Sequence, residues 1–440
     1  MRILLGSVRA GGLRGKAVSE ARVARHVMRH IEPVIRSRML DEPVIALQGP
    51  RAVGKTTLLR ALAAASGASL LDLDDPATRT AVEADPVTFV SGPGPVFIDE
   101  YQHVPMILDA IKAELNRDGS PGRFVISGST RHDALPHAAQ ALTGRLHLMS
   151  ILPLSQGEID GAADSLVTRL FNDPGSTVDA RPSSTSREEY IARVTDGGFP
   201  PALRRATSTT RTRWFDNYLA LCLERDVAEL ARIQQKAALP TLLARLAAQT
   251  GQVLNIASAG EAAGLKARTA ENYTKLLEAL LLVHRLPAWG RTLRARAVAT
   301  PKLHVIDPGL AARLLRLTPE KLARRDATAM QEFGHLLETF VATEVMKQLS
   351  WMDDIAGIGH WRTHDGAEVD LVIEGRDGRI VAIEVKAGSR VTTKDLTGLR
   401  AIRDALGDAF LTGVVLNTGA RAYRAEERIQ VLPVDRLWTT

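Results

Sequence analysis

Short apolar runs that end in polar residues recur along the chain, separated by stretches with helical spacing, and this alternation predicts an α/β protein. Residues 44–47 predict a buried strand and residues 57–65 the helix after a loop, with further strands expected at 69–73, 96–98, 124–126 and 146–152. Before them, Val23, Val27, Ile31, Val34 and Ile35 recur at helical spacing and predict a helix over 20–40. Residues 1–20 are Gly- and Arg-rich without a period and read as a flexible or extended start. The segment 161–187, rich in Ser, Asp, Thr, Gly and Pro, reads as a loop. Helical spacing returns at Glu188, breaks at 197–201 and resumes over 210–233, which predicts a helical lid or linker. Helices at 241–249, 256–263 and 269–282, followed by strands at 282–286 and 302–306, predict a winged-helix module. The last region carries a helix at 333–349 and strands at 366–373 and 379–386.

The loop after the first strand changes the picture most. From Gly49 to Thr56 it fits the phosphate loop G-x-x-x-x-G-K-[ST], with a strand before it and a helix after it. The two glycines let Gly49, Pro50, Arg51, Ala52, Val53, Gly54, Lys55, Thr56 and Thr57 curl around a polyphosphate, so that amides and the positive helix end face the anion. Lys55 would reach the β- and γ-phosphates and Thr56 would place its hydroxyl on a metal, so ATP and Mg2+ are the expected cofactors. The strand at 96–98 empties into Asp99 and Glu100, the Walker B form. Asp99 would hold the hydrated magnesium, and Glu100 would orient and deprotonate the attacking water. Ser129, after the strand at 124–126, would offer a hydroxyl towards the γ-phosphate. Arg145 precedes the last strand of this region. It reads either as a finger reaching a neighbouring subunit's nucleotide or as a surface arginine at a loop end.

A second constellation lies near the end of the chain. An acidic residue on a helix, a hairpin and then Glu-x-Lys is the arrangement by which restriction-type nucleases assemble a metal site. Asp370 and Glu384 would coordinate magnesium, Glu338 would complete the ligand set, and Lys386 would orient the water or stabilise the phosphorane. Lys386 stands two residues after Glu384, so both would face one side of the strand. Lys266, Arg268 and Lys275 fall on or near the third helix of the winged-helix module. They could contact phosphates, or the module could serve as plain packing.

Composition narrows the classes. A chain of 440 residues with 45% hydrophobic and 24% charged content is globular and long enough for two to four domains. Its 56 Lys+Arg against 50 Asp+Glu give a net charge of +6, which suits either an anionic partner such as DNA or a merely Arg-rich surface. The single cysteine, Cys222, excludes an internal disulfide and a Cys-based zinc site. No apolar run approaches the roughly 18–20 residues a bilayer requires, and the first residues suit a secretory signal poorly. No membrane partner and a cytoplasmic location are therefore expected.

Taken together, from about Ala21 to the end, these motifs resemble the prokaryotic ATP-binding proteins that join an AAA-type ATPase to a DUF4143 domain. The residues that carry the resemblance are Gly49 to Thr57, Phe97 to Gln102, Ser127-Gly128-Ser129, Leu142 to Arg145, Gly197 to Pro200, Arg225-Asp226-Val227, Pro301-Lys302, Asp307 to Leu310, Glu338, Glu368-Val369-Asp370 and Glu384-Val385-Lys386. The resemblance implies a C-terminal domain similar to the PD-(D/E)XK nuclease superfamily, with Val369-Asp370 in place of Pro-Asp. The expected architecture is a P-loop ATPase core with a parallel sheet, a helical lid, a winged-helix module and a restriction-endonuclease-like α/β domain. Its expected parts are an N-terminal extension and helix (1–40), the core (41–155), a helical linker or lid (156–238), the winged-helix module (239–320) and the C-terminal domain (325–440). The expected function is a Mg-dependent ATPase, a homo-oligomer, coupled to a nuclease-like domain acting on DNA. Two others stand beside it: a nucleotide-switched regulator that binds nucleic acid or protein without cutting, and a transport or signalling ATPase.

Overall fold

The computed structural model of the chain describes residues 27–129, 142, 144–227, 235–290 and 300–439. The expected start at 1–20, the first part of the 20–40 helix and the end of the 210–233 helix lie outside the described residues. Where it is described, the 20–40 segment becomes helical only at Glu32–Arg38 (α1). Pro33 explains this correction, because proline is accepted in a first helical turn but not in a helix interior, where it lacks an N–H and collides with the preceding turn.

Five parallel strands form the first sheet: β1 (Val44–Gln48), β2 (Leu70–Asp72), β3 (Val96–Asp99), β4 (Phe124–Gly128) and β5 (Leu146–Ser150). Their order is β2-β3-β4-β1-β5. Val44 to Leu47 are all buried, as an apolar strand covered on both faces must be. Ile45, Leu47, Phe97 and Val125 pack with Leu58, Leu59 and Leu62 of the helix Lys55–Ala65 (α2). Val44, Ala46, Ile98 and Ile126 pack on the other face with Ile107, Leu108 and Ile111. The register pairs Gln48 with Gly128 and with Ser150, so the carboxyl ends of β1, β4 and β5 share one edge. Val44 pairs with Leu146 at the opposite edge.

The segment read as a loop over 161–187 contains a helix, Leu166–Asn172, which buries Leu166, Val167, Leu170 and Phe171. Their i, i+1, i+4, i+5 spacing is that of one helix face, obscured by the polar residues on either side. Beyond it, the helices Leu239–Ala247, Ile256–Ala262 and Ala267–Ala279 (α3) surround a small sheet of β6 (Gln252–Val253), β8 (Lys302–Val305) and β7 (Val283–Leu286).

The final region begins with the long helix Ala327–Leu349 (α4), capped by Asp326. Antiparallel β9 (Ile355–Arg362), β10 (Glu368–Gly375) and β11 (Ile380–Lys386) follow, then a helix at Thr397–Leu406 (α5) and β12 (Phe410–Asn417), which lies parallel to β11. β13 (Tyr423–Glu426) and β14 (Ile429–Pro433) complete a six-stranded sheet in the order β13-β14-β12-β11-β10-β9. One apolar cluster runs from Leu58 and Leu62 through Leu246 and Leu303 to Phe340 and Trp438, so the regions share a core. Among the described residues no helix is long and apolar enough to cross a membrane.

Candidate functional site

The phosphate loop is shaped by two local requirements. A Cβ on Gly49 would lie 2.1 Å from the carbonyl oxygen of Ile151, so only glycine lets the chain turn this tightly beside the end of β5. Gly54 has φ +97° and opens α2 from a left-handed conformation. Lys55 is buried at the start of α2, and its Nζ donates to the carbonyls of Gly49 (2.9 Å) and Pro50 (3.0 Å), which hold the ammonium across the mouth of the loop. Such a cradle of backbone turn, helix N-terminus and ammonium fits a polyphosphate.

Asp99 and Glu100 stand at the carboxyl end of β3, one strand beyond β4 from the loop. Thr56 and Ser127 both hydrogen-bond to the Asp99 carboxylate, so the two expected magnesium-holding groups, Thr56 and Asp99, do meet. Burial pushes Asp99 above its usual pKa, against those two hydrogen bonds and the Lys55 charge. Glu100 adopts a left-handed conformation with φ 52°, a backbone cost that tends to be kept at functional sites. Burial alone would raise Glu100, but Lys55, Gln102, Arg51 and Ser129 outweigh it and hold the carboxyl below its usual value. These groups therefore favour the ionised carboxylate. The Gln102 amide bridges Glu100 and the Ser129 hydroxyl, the latter at 3.1 Å, so Ser129 joins the site. Arg145 does not join it. This exposed residue precedes β5 at the sheet edge opposite the loop, and its guanidinium donates to Asn116 at 2.8 Å.

Sequence spacing missed a residue that anchors the loop from outside. Arg29, nine-tenths buried, donates to the Val53 carbonyl (2.8 Å), to the Leu152 carbonyl (2.7 Å) and to Glu158 (2.9 Å). Glu158 also closes a capping box with Ser155 at the helix Gln156–Asp160. Ser155 continues to Asp164, which pairs with His30 at 3.0 Å and raises its pKa. The partners of Arg29 lie 24 to 129 residues away along the chain, beyond any local motif.

The C-terminal constellation departs from expectation. Glu338 and Asp370 face one another, but an ammonium lies between them: Lys302 of β8 donates to Glu338 (2.8 Å) and Asp370 (2.8 Å) and pairs with Glu368 at 2.7 Å. The second Asp370 oxygen accepts from the Val385 amide at 2.9 Å. Glu384 pairs instead with Lys386 at 2.6 Å. Among the described residues no three His, Cys, Asp or Glu side chains gather as metal ligands; of the expected set, Glu338 and Asp370 meet around Lys302 while Glu384 pairs with Lys386. Lys302 supplies one positive charge to the three carboxylates around it. Burial and then Asp370 push Glu384 up to about 8, and burial and Asp370 hold Glu338 well above its usual range. Burial works against the Lys302 charge, but Asp370, Glu338 and Glu368 outweigh it and raise its pKa.

Comparison with known proteins matches residues 41–160 to the AAA domain family, 187–321 to a domain of unknown function (DUF8612) and 333–437 to a domain of unknown function (DUF4143). Over 409 residues the chain is 28% identical to an uncharacterized protein of Mycobacterium tuberculosis and to another of Mycobacterium bovis, a match covering 92% of this chain and 83% of each relative. Among solved structures it is similar to the Walker-type ATPase PABY2304 of Pyrococcus abyssi, with 14% identity, a TM-score of 0.40, and 66% of this chain and 96% of that one covered. It is also similar to the RuvB Holliday junction branch migration motor of Thermotoga maritima, with 16% identity, a TM-score of 0.28, and 63% and 90% covered.

Proposed function

Because the chain joins an AAA-type ATPase domain to a C-terminal DUF4143 domain, we propose that it is a magnesium-dependent ATPase whose nucleotide state governs how its remaining regions hold nucleic acid. The observation that carries the ATPase reading is that Lys55, Thr56, Asp99, Glu100 and Ser129 converge along one sheet edge, beside a loop that only Gly49 allows. In this reading the loop amides and Lys55 bind the β- and γ-phosphates. Thr56 and Asp99 would hold the magnesium ion, which when bound neutralises charge on the phosphate oxygens. Glu100 orients the attacking water and accepts its proton, while Gln102 fixes the carboxylate against Ser129.

Two observations support nucleic acid as the partner. The order helix, strand, helix, helix, strand, strand over 239–305 supports the expected winged helix, and Arg268, Asn272 and Lys275 are exposed at i, i+4, i+7 on α3. The order helix, three antiparallel strands, helix, parallel strand from α4 to β12 supports the expected nuclease-like domain. Lys302 within its acidic pocket favours holding over cutting. Phosphate release by the purified chain, measured with and without linear and branched DNA, tests both parts. Release that DNA stimulates, with the DNA left intact, is expected. No release above background with any substrate would remove the ATPase reading, and release indifferent to DNA would remove the nucleic-acid part.

A further inference from the structure

An ammonium has three N–H donors and no acceptor, and Lys302 donates to Glu338 and Asp370 and forms an ion pair with Glu368 at 2.7 Å. Its side chain is 2% exposed, so no solvent competes for those donors. The three carboxylates come from two separate elements, Glu338 from α4 and Glu368 and Asp370 from β10, while Lys302 comes from β8 of the preceding small sheet. Around it the same two regions are fastened repeatedly. His304 of β8 meets Thr339 of α4 at 3.2 Å, and Thr250 meets Thr339 at 2.8 Å. The Trp289 amide donates to the His360 carbonyl at 2.6 Å, and the His360 amide to the Pro287 carbonyl at 2.9 Å. The lysine is thus seated by the docking of one region on the other.

From this geometry we propose that Lys302 is the resident cation of the C-terminal acidic pocket: it stands in for a divalent metal, locks the three-stranded module to the C-terminal sheet, and excludes divalent binding there until its charge is removed. A point cation held by three oxygens occupies the place a metal would take among the carboxylates, with the differences that it carries one charge instead of two and is tethered to the chain. Once the ammonium is gone, the largely buried Glu338 and Asp370 and the partly exposed Glu368 lose the cation they share. They must then take up protons or a cation from solution. The pocket would become a divalent site only in that case. Nothing in this rests on the nucleotide site, so failure of the ATPase reading leaves it standing.

Mn2+ titration of the nucleotide-free full chain, followed by loss of the free-ion electron paramagnetic resonance signal, tests the proposal. The parent and Asp370→Asn are expected to bind Mn2+ equally, because Asp370 serves Lys302 and not a metal. Lys302→Met is expected to gain one saturable site per chain, at least tenfold tighter than any in the parent, and Lys302→Met with Asp370→Asn to lose it. A saturable parent site abolished by Asp370→Asn would overturn the proposal, as would a folded Lys302→Met protein with no new site. Should Lys302→Met fail to fold, the parent and Asp370→Asn pair still decides: equal binding sustains the exclusion of metal and a loss overturns it.

Discussion

At the scale of single residues, the nucleotide site separates a group that binds from a group that reacts. Lys55 lies across the loop and would contact phosphate in both ground and transition states, whereas Glu100 would act only on the water. Lys55→Ala should therefore abolish binding of a fluorescent ATP analogue. Glu100→Gln should bind it like the parent and hydrolyse roughly 10²–10⁴-fold more slowly, the usual contribution of a placed general base. Parent-like turnover in Glu100→Gln would remove it from the Walker B role. These residues were legible in the sequence because each stands just past the end of an apolar strand, Lys55 in the loop and helix after β1 and Glu100 directly after β3. Lys302 was visible only as part of a Pro-Lys pair, since its partners lie 36 to 68 residues further along and meet it only when two regions dock.

At the scale of elements, the segment before α1 matters through what it holds. Arg29 clamps the Val53 carbonyl, the end of β5 and the capped helix Gln156–Asp160 together. Arg29→Ala takes away the loop's anchor and leaves Glu158, with 1% of its side chain exposed, without its cation. Breaking a buried pair in this way costs about 3–5 kcal/mol, so a lower melting temperature is expected. The loss of a charge-assisted bond to the loop should also weaken ATP-analogue binding by about tenfold or more. Arg29→Lys should recover part of that affinity, and a folded Arg29→Ala protein with parental affinity would reduce Arg29 to a stability role. His30 adds a pH dependence to the same segment. The Asp164 hydrogen bond holds its pKa above the usual 6.5. Its contribution is therefore complete below about pH 6.5 and is lost as pH rises through the higher folded value. The melting-temperature difference between the parent and His30→Gln should shrink across that window, and a difference constant from pH 5.5 to 9 would exclude the pair as its source. Helical spacing alone suggested a long helix here, because periodicity registers Ile31, Val34 and Ile35 but not the restriction that Pro33 imposes.

At the scale of the whole molecule, buried polar bonds join the ATPase region to α4. Glu344 accepts from the Gln156 amide at 2.8 Å, Lys347 donates to the Leu154 carbonyl at 3.0 Å, and Gln348 accepts from the Val167 amide at 3.0 Å. The helix that carries Glu338 is thus fastened to the segment that Arg29 ties to the phosphate loop. Arg145 points away from this interior. The five residues of β5 separate it from its own loop by about 15 Å of strand, and its exposed guanidinium rests on Asn116. It could complete a nucleotide site only in a neighbouring copy. If it does, the ATPase rate per chain should rise with protein concentration, because each site then needs a second chain. Arg145→Ala should lower the rate at high concentration by about 10³-fold or more, the effect of removing such a finger, while leaving ATP-analogue binding intact. Mixing Arg145→Ala with Lys55→Ala should restore part of the activity, since the intact loop of one chain would meet the arginine of the other. A rate per chain that stays flat across the concentration range, with no recovery on mixing, would leave Arg145 as a surface residue hydrogen-bonded to Asn116.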